Sequence, residues 1–300
     1  MMQDNDIVTS GVPGAFELSG DSLEIIGSYR RSPYLTKKHS SYFQVYADLL
    51  EQYRQKDVIF VEIGVKDGGS LLMWRDYLGP KARIIGIDIN PVAKQLESQG
   101  FEIFIGSQSD PKFWELFFGS VGRVDIILDD GGHTFEQQII TVHSCIPRIR
   151  EGGLVIVEDT HTSYDREFGY PSKYSFIEWT KILIDNVNSR FPGVNASNLP
   201  YKDTIYSIAI FESIVAFRIQ RARCFESAPT SNHGISLGAE DLRYGGSSVG
   251  VVRKLLEGVE RRIAFLERLP IARRLGGWIF STYAALVARR RLKRLRKFFG

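Results

Sequence analysis

Asp129-Asp130-Gly131-Gly132-His133 and Gly152-Gly153-Leu154-Val155-Ile156-Val157-Glu158-Asp159 decide the fold. Each belongs to a short β-branched run that ends on acids, the sequence form of a buried parallel strand whose carboxyl end opens on a ligand site. Working outward, Val58–Gly64, Arg83–Asp88, Glu102–Ile105, Val124–Leu128 and Leu154–Glu158 read as five successive strands bounded by Gly, Asp or Pro. Helical patterns fit between them over Ser70–Leu78, Pro91–Gln99, Pro111–Phe118 and Thr134–Arg148, and Pro91 and Pro111 stand where a first helical turn tolerates proline. Ser172–Arg190 makes a longer helix. Thr204–Phe211 and Ile214–Ile219, separated by Glu212-Ser213 alone, predict a hairpin. The expected class is α/β, a parallel sheet covered on both faces and ended by an antiparallel pair.

The first strand runs into Glu62-Ile63-Gly64-Val65-Lys66-Asp67-Gly68-Gly69-Ser70, a glycine-rich turn feeding a helix. Lys66 occupies the second glycine position of G-x-G-x-x-G, which argues against a dinucleotide. S-adenosylmethionine has no pyrophosphate to cradle but carries a sulfonium and an ammonium. An acid at Glu62 and close backbone approach at Gly64 and Gly68 suit it. Asp88 ends the second strand, where a carboxylate accepts both ribose hydroxyls; the competing role, a helix N-cap, is one that Asn90 before Pro91 can fill instead. Ser107 and Gln108 follow the third strand at the expected adenine edge, and Asp129 closes the fourth as a further cofactor-side residue. Asp110 has the alternative role of capping the next helix.

Strands four and five are expected to be neighbours, so Asp130, Glu158 and Asp159 should converge at their carboxyl ends. Carboxylates that close repel one another without a cation. A hard divalent ion such as magnesium relieves the repulsion and leaves positions for a substrate hydroxyl. His133, just beyond Asp130, is placed to take the proton of that hydroxyl. The plainer reading has Asp130 and Asp159 only turning or capping the chain. His39, His143, His161 and His233 lack such a context.

Gly68-Gly69-Ser70-Leu71-Leu72-Met73-Trp74, Gly86-Ile87-Asp88, the Asp129–His133 stretch and the Gly152–Asp159 stretch occur in that order. Together they resemble the macrolide-sugar and rhamnosyl O-methyltransferases, relatives of the cephalosporin hydroxylase-like family, over residues 36 to 165. The resemblance implies a Rossmann-like, seven-stranded class I methyltransferase sheet with a helical N-terminal segment. It implies S-adenosylmethionine as cofactor, magnesium on Asp130, Glu158 and Asp159, His133 as base, and methyl transfer to a sugar hydroxyl. Thr36-Lys37 and His39 through Tyr46 resemble the segment that lies near cofactor or substrate in that family. Gly132 departs from it, standing where relatives commonly carry Ser.

Four segments are expected: an N-terminal lid over 1–53, the methyltransferase core over 54–222, a Ser/Gly/Asn-rich linker over 223–248, and a basic amphipathic tail over 249–300. Within the first, Lys38–Tyr53 reads as an amphipathic helix with Tyr42, Val45, Tyr46 and Leu49 on one stripe, packing against the sheet. The net charge of +3 is unevenly placed: residues 241–300 hold fifteen Lys and Arg against four Asp and Glu, so that segment carries +11 and the remainder −8. Arg268–Lys297 contains no acid and encloses the fourteen uncharged residues Leu275–Ala288. That is short for a membrane span of about twenty residues but suits a helix lying in an anionic interface. The alternative is a helix packed on its own core. A nucleic-acid methyltransferase would use the tail for phosphate contacts, though the acidic body argues against it. A noncatalytic cofactor-binding scaffold fits the acid and histidine set poorly. Two distant cysteines, Cys145 and Cys224, and no signal-peptide pattern in Met1–Ser10 give a cytoplasmic expectation, with the tail at the inner face of a membrane. The expected partner is a sugar-containing acceptor, with a lipid-linked one suited to membrane attachment.

Overall fold

The computed structural model describes residues 20–238, apart from 170, 193 and 195–199, and scattered residues of the tail from 251 to 298. The chain divides into two units, Met1–Pro229 and Thr230–Gly300. The first is built on one seven-stranded sheet in the order β3-β2-β1-β4-β5-β7-β6. Its strands are β1 (Ile59–Ile63), β2 (Arg83–Asp88), β3 (Glu102–Ile105), β4 (Val124–Asp129), β5 (Ile149–Val157), β6 (Ile205–Phe211) and β7 (Ile214–Ile219). The first five pair in parallel, and the β6–β7 hairpin joins antiparallel to β5, as the sequence predicts. The order reverses between β1 and β4, and the crevice at that switch point is where open α/β sheets take ligands.

Six α-helices accompany the sheet among the described residues: α1 (Gly20–Arg31), α2 (Tyr42–Leu50), α3 (Gly69–Leu78), α4 (Pro111–Val121), α5 (Phe135–Cys145) and α6 (Phe176–Asn188). Period-two alternation sends β1 side chains to two separate cores. Phe60 joins Tyr46, Leu50 and Trp74 of α2 and α3 on one face, while Val61 and Ile63 join Trp114, Phe117 and Val142 of α4 and α5 on the other. Trp74 is wholly buried, and each aliphatic or phenyl side chain so placed stabilises the sheet by about 1.5–3 kcal/mol.

Several boundaries differ from the sequence reading. The helix expected from Lys38 starts at Tyr42, so residues 38–41 are not helical. Strand β5 begins at Ile149 rather than Leu154; Gly152, at φ 83°, and Gly153 do not end it, and its pairing with β4 shifts register between Val124 and Ile126. Helix α1, rich in Gly and polar residues, has no counterpart in the sequence reading. Pro91–Gln99 is a 3-10 helix. Residues 224–238 have no regular structure. Most of the expected tail, 249–300, lies outside the described residues; Trp278, Thr282, Tyr283, Ala285, Arg289, Leu292 and Leu295 within it are helical. No helix among the described residues is long and apolar enough to cross a membrane.

Candidate active site

A cavity of about 470 Å³ opens at the switch point, lined among others by Gly64, Lys66, Asp88, Ser107, Asp130 and His133. Asp88 anchors one corner of it, with Oδ2 accepting from Lys66 N (2.9 Å) and Oδ1 from Asn90 N (2.8 Å). The capping role falls to Asn90, whose side chain accepts from Val92 N, so the carboxylate of Asp88 is left facing the cavity. Asp110 caps α4 through Lys112 N. Gln108 reaches the cavity wall, yet its amide is committed inward: Nε2 donates to both oxygens of Asp129 (2.9 and 3.0 Å), and Oε1 accepts from Gly132 N. Asp129 is thus a buried clamp on the 130–132 loop rather than part of the wall, and burial holds its carboxyl above the usual range against the pull of Gln108 and Gly131 N. A Cβ at Gly132 would crowd the Gln137 amide, so serine there requires Gln137 to turn aside.

Glu62 also departs from its expected place. Strand alternation puts it on the Phe60 face, where it is fully buried and accepts from Ser70 Oγ (2.7 Å) and Trp74 Nε1 (3.1 Å). It does not line the cavity; nor does Gly68, which stands as the N-cap of α3. Burial raises the Glu62 carboxyl, opposed chiefly by the charge of Lys38.

The register pairs Asp129 with Val157, so Asp130 and Glu158 leave adjacent strands side by side. His133 and Asp159 both adopt left-handed backbone, φ 57° and 53°, and Thr162 Oγ1 lies within hydrogen-bond reach of both their carbonyls. Such strained positions cluster at functional sites and aim the side chains that follow strand ends. His133 Nε2 lies 3.3 Å from Asp159 Oδ2 and 3.9 Å from Asp130 Oδ1. Donor atoms of Asp130, His133 and Asp159 all fall within 4.8 Å of one another, and His133 Nδ1 is buried without a hydrogen-bond partner.

Glu158 is turned away from that trio. Its oxygens meet Tyr46 Oη (2.6 Å) and the Lys38 ammonium (3.0 and 3.2 Å) in a fully enclosed pocket, and burial pushes its carboxyl up. Lys38 Nζ also lies 2.7 Å from Asp130 Oδ2 and 3.7 Å from Glu62 Oε1. Burial works against the ammonium, but Glu158, Asp130 and Glu62 outweigh it and hold its proton above the ordinary lysine range. Sequence pattern does not single out Lys38, although it lies between two residues of the family-like segment, Lys37 and His39. Tyr42 and Tyr46, which pattern assigns to packing, are spaced i, i+4 on α2 and deliver phenols to Asp159 (2.5 Å) and Glu158.

One ammonium offsets one of the acids around it, which leaves Asp130 and Asp159 electronegative beside His133 Nε2. These oxygen-rich donors fit a divalent cation such as magnesium. His39 Nε2 and His161 Nδ1 each lie 3.9 Å from Asp159 Oδ1 on its outer side, and His161 Nδ1 also contacts Ser213 Oγ (2.5 Å) in the β6–β7 turn.

This sheet order, with acids at adjacent carboxyl ends beside a nucleotide-sized cavity, defines the class I methyltransferase fold. Over residues 61–160 the chain matches the family described as a methyltransferase domain. It is similar to demethylmacrocin O-methyltransferase of Streptomyces fradiae, with 34% identity over 46% of this chain and 37% of the relative. It is likewise similar to 8-demethyl-8-alpha-L-rhamnosyl tetracenomycin-C 2'-O-methyltransferase of Streptomyces olivaceus, with 32% identity over 41% of this chain and 34% of the relative. The matches thus span little more than a third of these curated relatives. Among solved structures, MycE methyltransferase from the mycinamycin biosynthetic pathway in complex with Mg, SAH and mycinamycin VI shares the fold, with a TM-score of 0.60 and 22% identity over 78% of this chain and 59% of that one.

Proposed function

We propose that the protein transfers the methyl group of S-adenosylmethionine to a hydroxyl of a sugar carried by a glycosylated natural product, glycan or glycolipid. The convergence of Asp130, His133 and Asp159 beside the cavity that Asp88 and Gly64 border carries this reading. Supporting it are the sugar acceptors in the names of the relatives and the magnesium and SAH in the MycE complexes.

Asp88 orients the ribose, with Ser107 at the adenine side. Asp130 and Asp159 would hold the divalent ion, with Glu158 joining them on turning away from Lys38 and Tyr46. A magnesium ion held by these residues would supply Lewis-acid polarisation of the acceptor hydroxyl. His133 takes the hydroxyl proton on Nε2, and Asp159, 3.3 Å away, stabilises the resulting imidazolium. The oxygen then displaces the methyl group in line from the sulfonium, with S-adenosylhomocysteine leaving. Much of the acceleration comes from holding the two reactants in that alignment.

Calorimetry tests the cofactor assignment. The protein should bind S-adenosylhomocysteine, and Asp88→Asn should weaken it about tenfold to a hundredfold, the cost of losing charged hydrogen bonds to ribose. Tight NAD binding, or undiminished S-adenosylhomocysteine affinity in the variant, would reject it.

The tail supports a location for this chemistry. Basic residues flanking Leu275–Ala288 would seat a helix on anionic lipid at the inner face of a membrane, near lipid-linked sugars. Sedimentation with anionic vesicles should carry down the full chain and leave a truncation after Glu267 in solution, and added salt should weaken the binding. Equal partitioning of both forms would rule out attachment through the tail.

A further inference from the structure

Lys38 is a buried cation that the chemistry proposed above does not use. Its side chain is 1% exposed, yet it stands on an irregular stretch, residues 32–41, between α1 and α2. Leu35, Thr36 and Lys37 of that stretch form one wall of the cofactor cavity. An ammonium with three charged hydrogen bonds or close ion pairs, to Asp130, Glu158 and Glu62, is costly to bury and strongly held once there. It therefore fastens an irregular wall to the strand ends. Asp130 is also one of the three groups whose donor atoms converge with His133 and Asp159, so the same carboxylate faces two candidate cations.

We propose that Lys38 is a positioning residue that closes the 32–41 stretch over the cofactor while competing with the divalent ion for Asp130 and Glu158. Two consequences of opposite sign follow. Removing the charge releases the carboxylates to the metal, so metal binds more tightly. Removing it also unfastens the cavity wall, so the cofactor binds less tightly. A residue that merely supported the fold would weaken both. Conversely, metal loading draws Asp130 away from the ammonium and loosens the wall, which couples the two sites through one side chain.

This inference rests on the proposed cofactor and metal, and the experiment separates the two. Calorimetry on the full chain measures magnesium alone and S-adenosylhomocysteine alone, the latter in metal-free buffer. Wild-type protein binding neither would overturn the proposed function. If wild type binds both, Lys38→Met should gain about tenfold or more in magnesium affinity and lose about tenfold in S-adenosylhomocysteine affinity, while Lys38→Arg, which keeps the charge, stays nearer wild type in both. A folded Lys38→Met protein with unchanged or weaker magnesium affinity, or with unchanged S-adenosylhomocysteine affinity, would overturn the competition or the fastening respectively. Circular dichroism reports whether the Met variant folds. If it does not, hydrogen exchange on wild type decides: saturating magnesium should speed amide exchange within residues 32–41, and unchanged or slowed exchange there would overturn the proposal.

Discussion

His133→Ala is expected to lower kcat for methyl transfer by about 10²–10⁴-fold, the usual worth of a positioned general base, while the protein stays folded and still binds S-adenosylhomocysteine. The geometry places this residue between two chemistries. Its carbonyl is held through Thr162, its backbone is left-handed at φ 57°, and its ring points Nε2 at Asp159, 3.3 Å away. The backbone conformation is uncommon for a residue with a Cβ and costs about 1–3 kcal/mol, a strain that packing alone has no reason to retain. The ring is only partly buried, 22% exposed, so truncation should cost little stability. The check is single-turnover transfer from labelled S-adenosylmethionine at saturating cofactor. Activity within a few-fold of wild type would take proton removal away from His133 and leave it as a loop-shaping residue.

Gly64→Ala is expected to destabilise the protein by about 3–5 kcal/mol, among the largest effects a single substitution produces. Gly64 has φ 88°, and a Cβ there would lie 2.0 Å from the carbonyl oxygen of Asp130 and 2.7 Å from its carbonyl carbon. Those atoms are backbone, and Asp130 N is itself bonded to Ile63 O at 3.0 Å, so neither strand end can yield without parting β1 from β4. Gly122→Ala separates strain from contact. Gly122 has φ 79° but nothing within 4 Å of where a methyl group would sit, so it should lose only the strain, about 1–3 kcal/mol. Urea unfolding of both variants measures the difference, and equal losses would mean that the approach of Gly64 to the Asp130 loop is not what requires a glycine.

The sheet is legible in the sequence because its strands are apolar, β-branched and punctuated. Val58–Gly64, Arg83–Asp88 and the Glu212-Ser213 hairpin can each be placed within a residue or so from pattern alone. The acids following β4 and β5 are legible because strand adjacency follows from topology. Other parts of the site are not. Lys38 and Lys37 are the same residue type in adjacent positions, one enclosed by acids and the other exposed on the cavity wall, and no periodicity distinguishes them where the chain is irregular. The phenols of Tyr42 and Tyr46 read as packing because an i, i+4 aromatic pair is ordinarily just that. Glu62 is the correctable case. Alternation along Phe60, Val61, Glu62 and Ile63 already puts it on the face opposite Val61 and Ile63, under α3 rather than at the strand's open end. The interior hydrogen bonds of Gln108 and Asp129 need three dimensions, since they join the ends of β3 and β4 across β1 and β2.

The proposal that acids at two neighbouring strand ends hold a cation against which a sugar hydroxyl is methylated is tested most directly by product analysis. The full chain is incubated with methyl-labelled S-adenosylmethionine and a panel of rhamnosyl and olivosyl glycosides, in metal-free buffer and after magnesium is restored. Label is expected on a sugar oxygen together with S-adenosylhomocysteine, only when magnesium is present, and none in Asp159→Asn under either condition. Full turnover without metal, or in Asp159→Asn, would contradict the proposal.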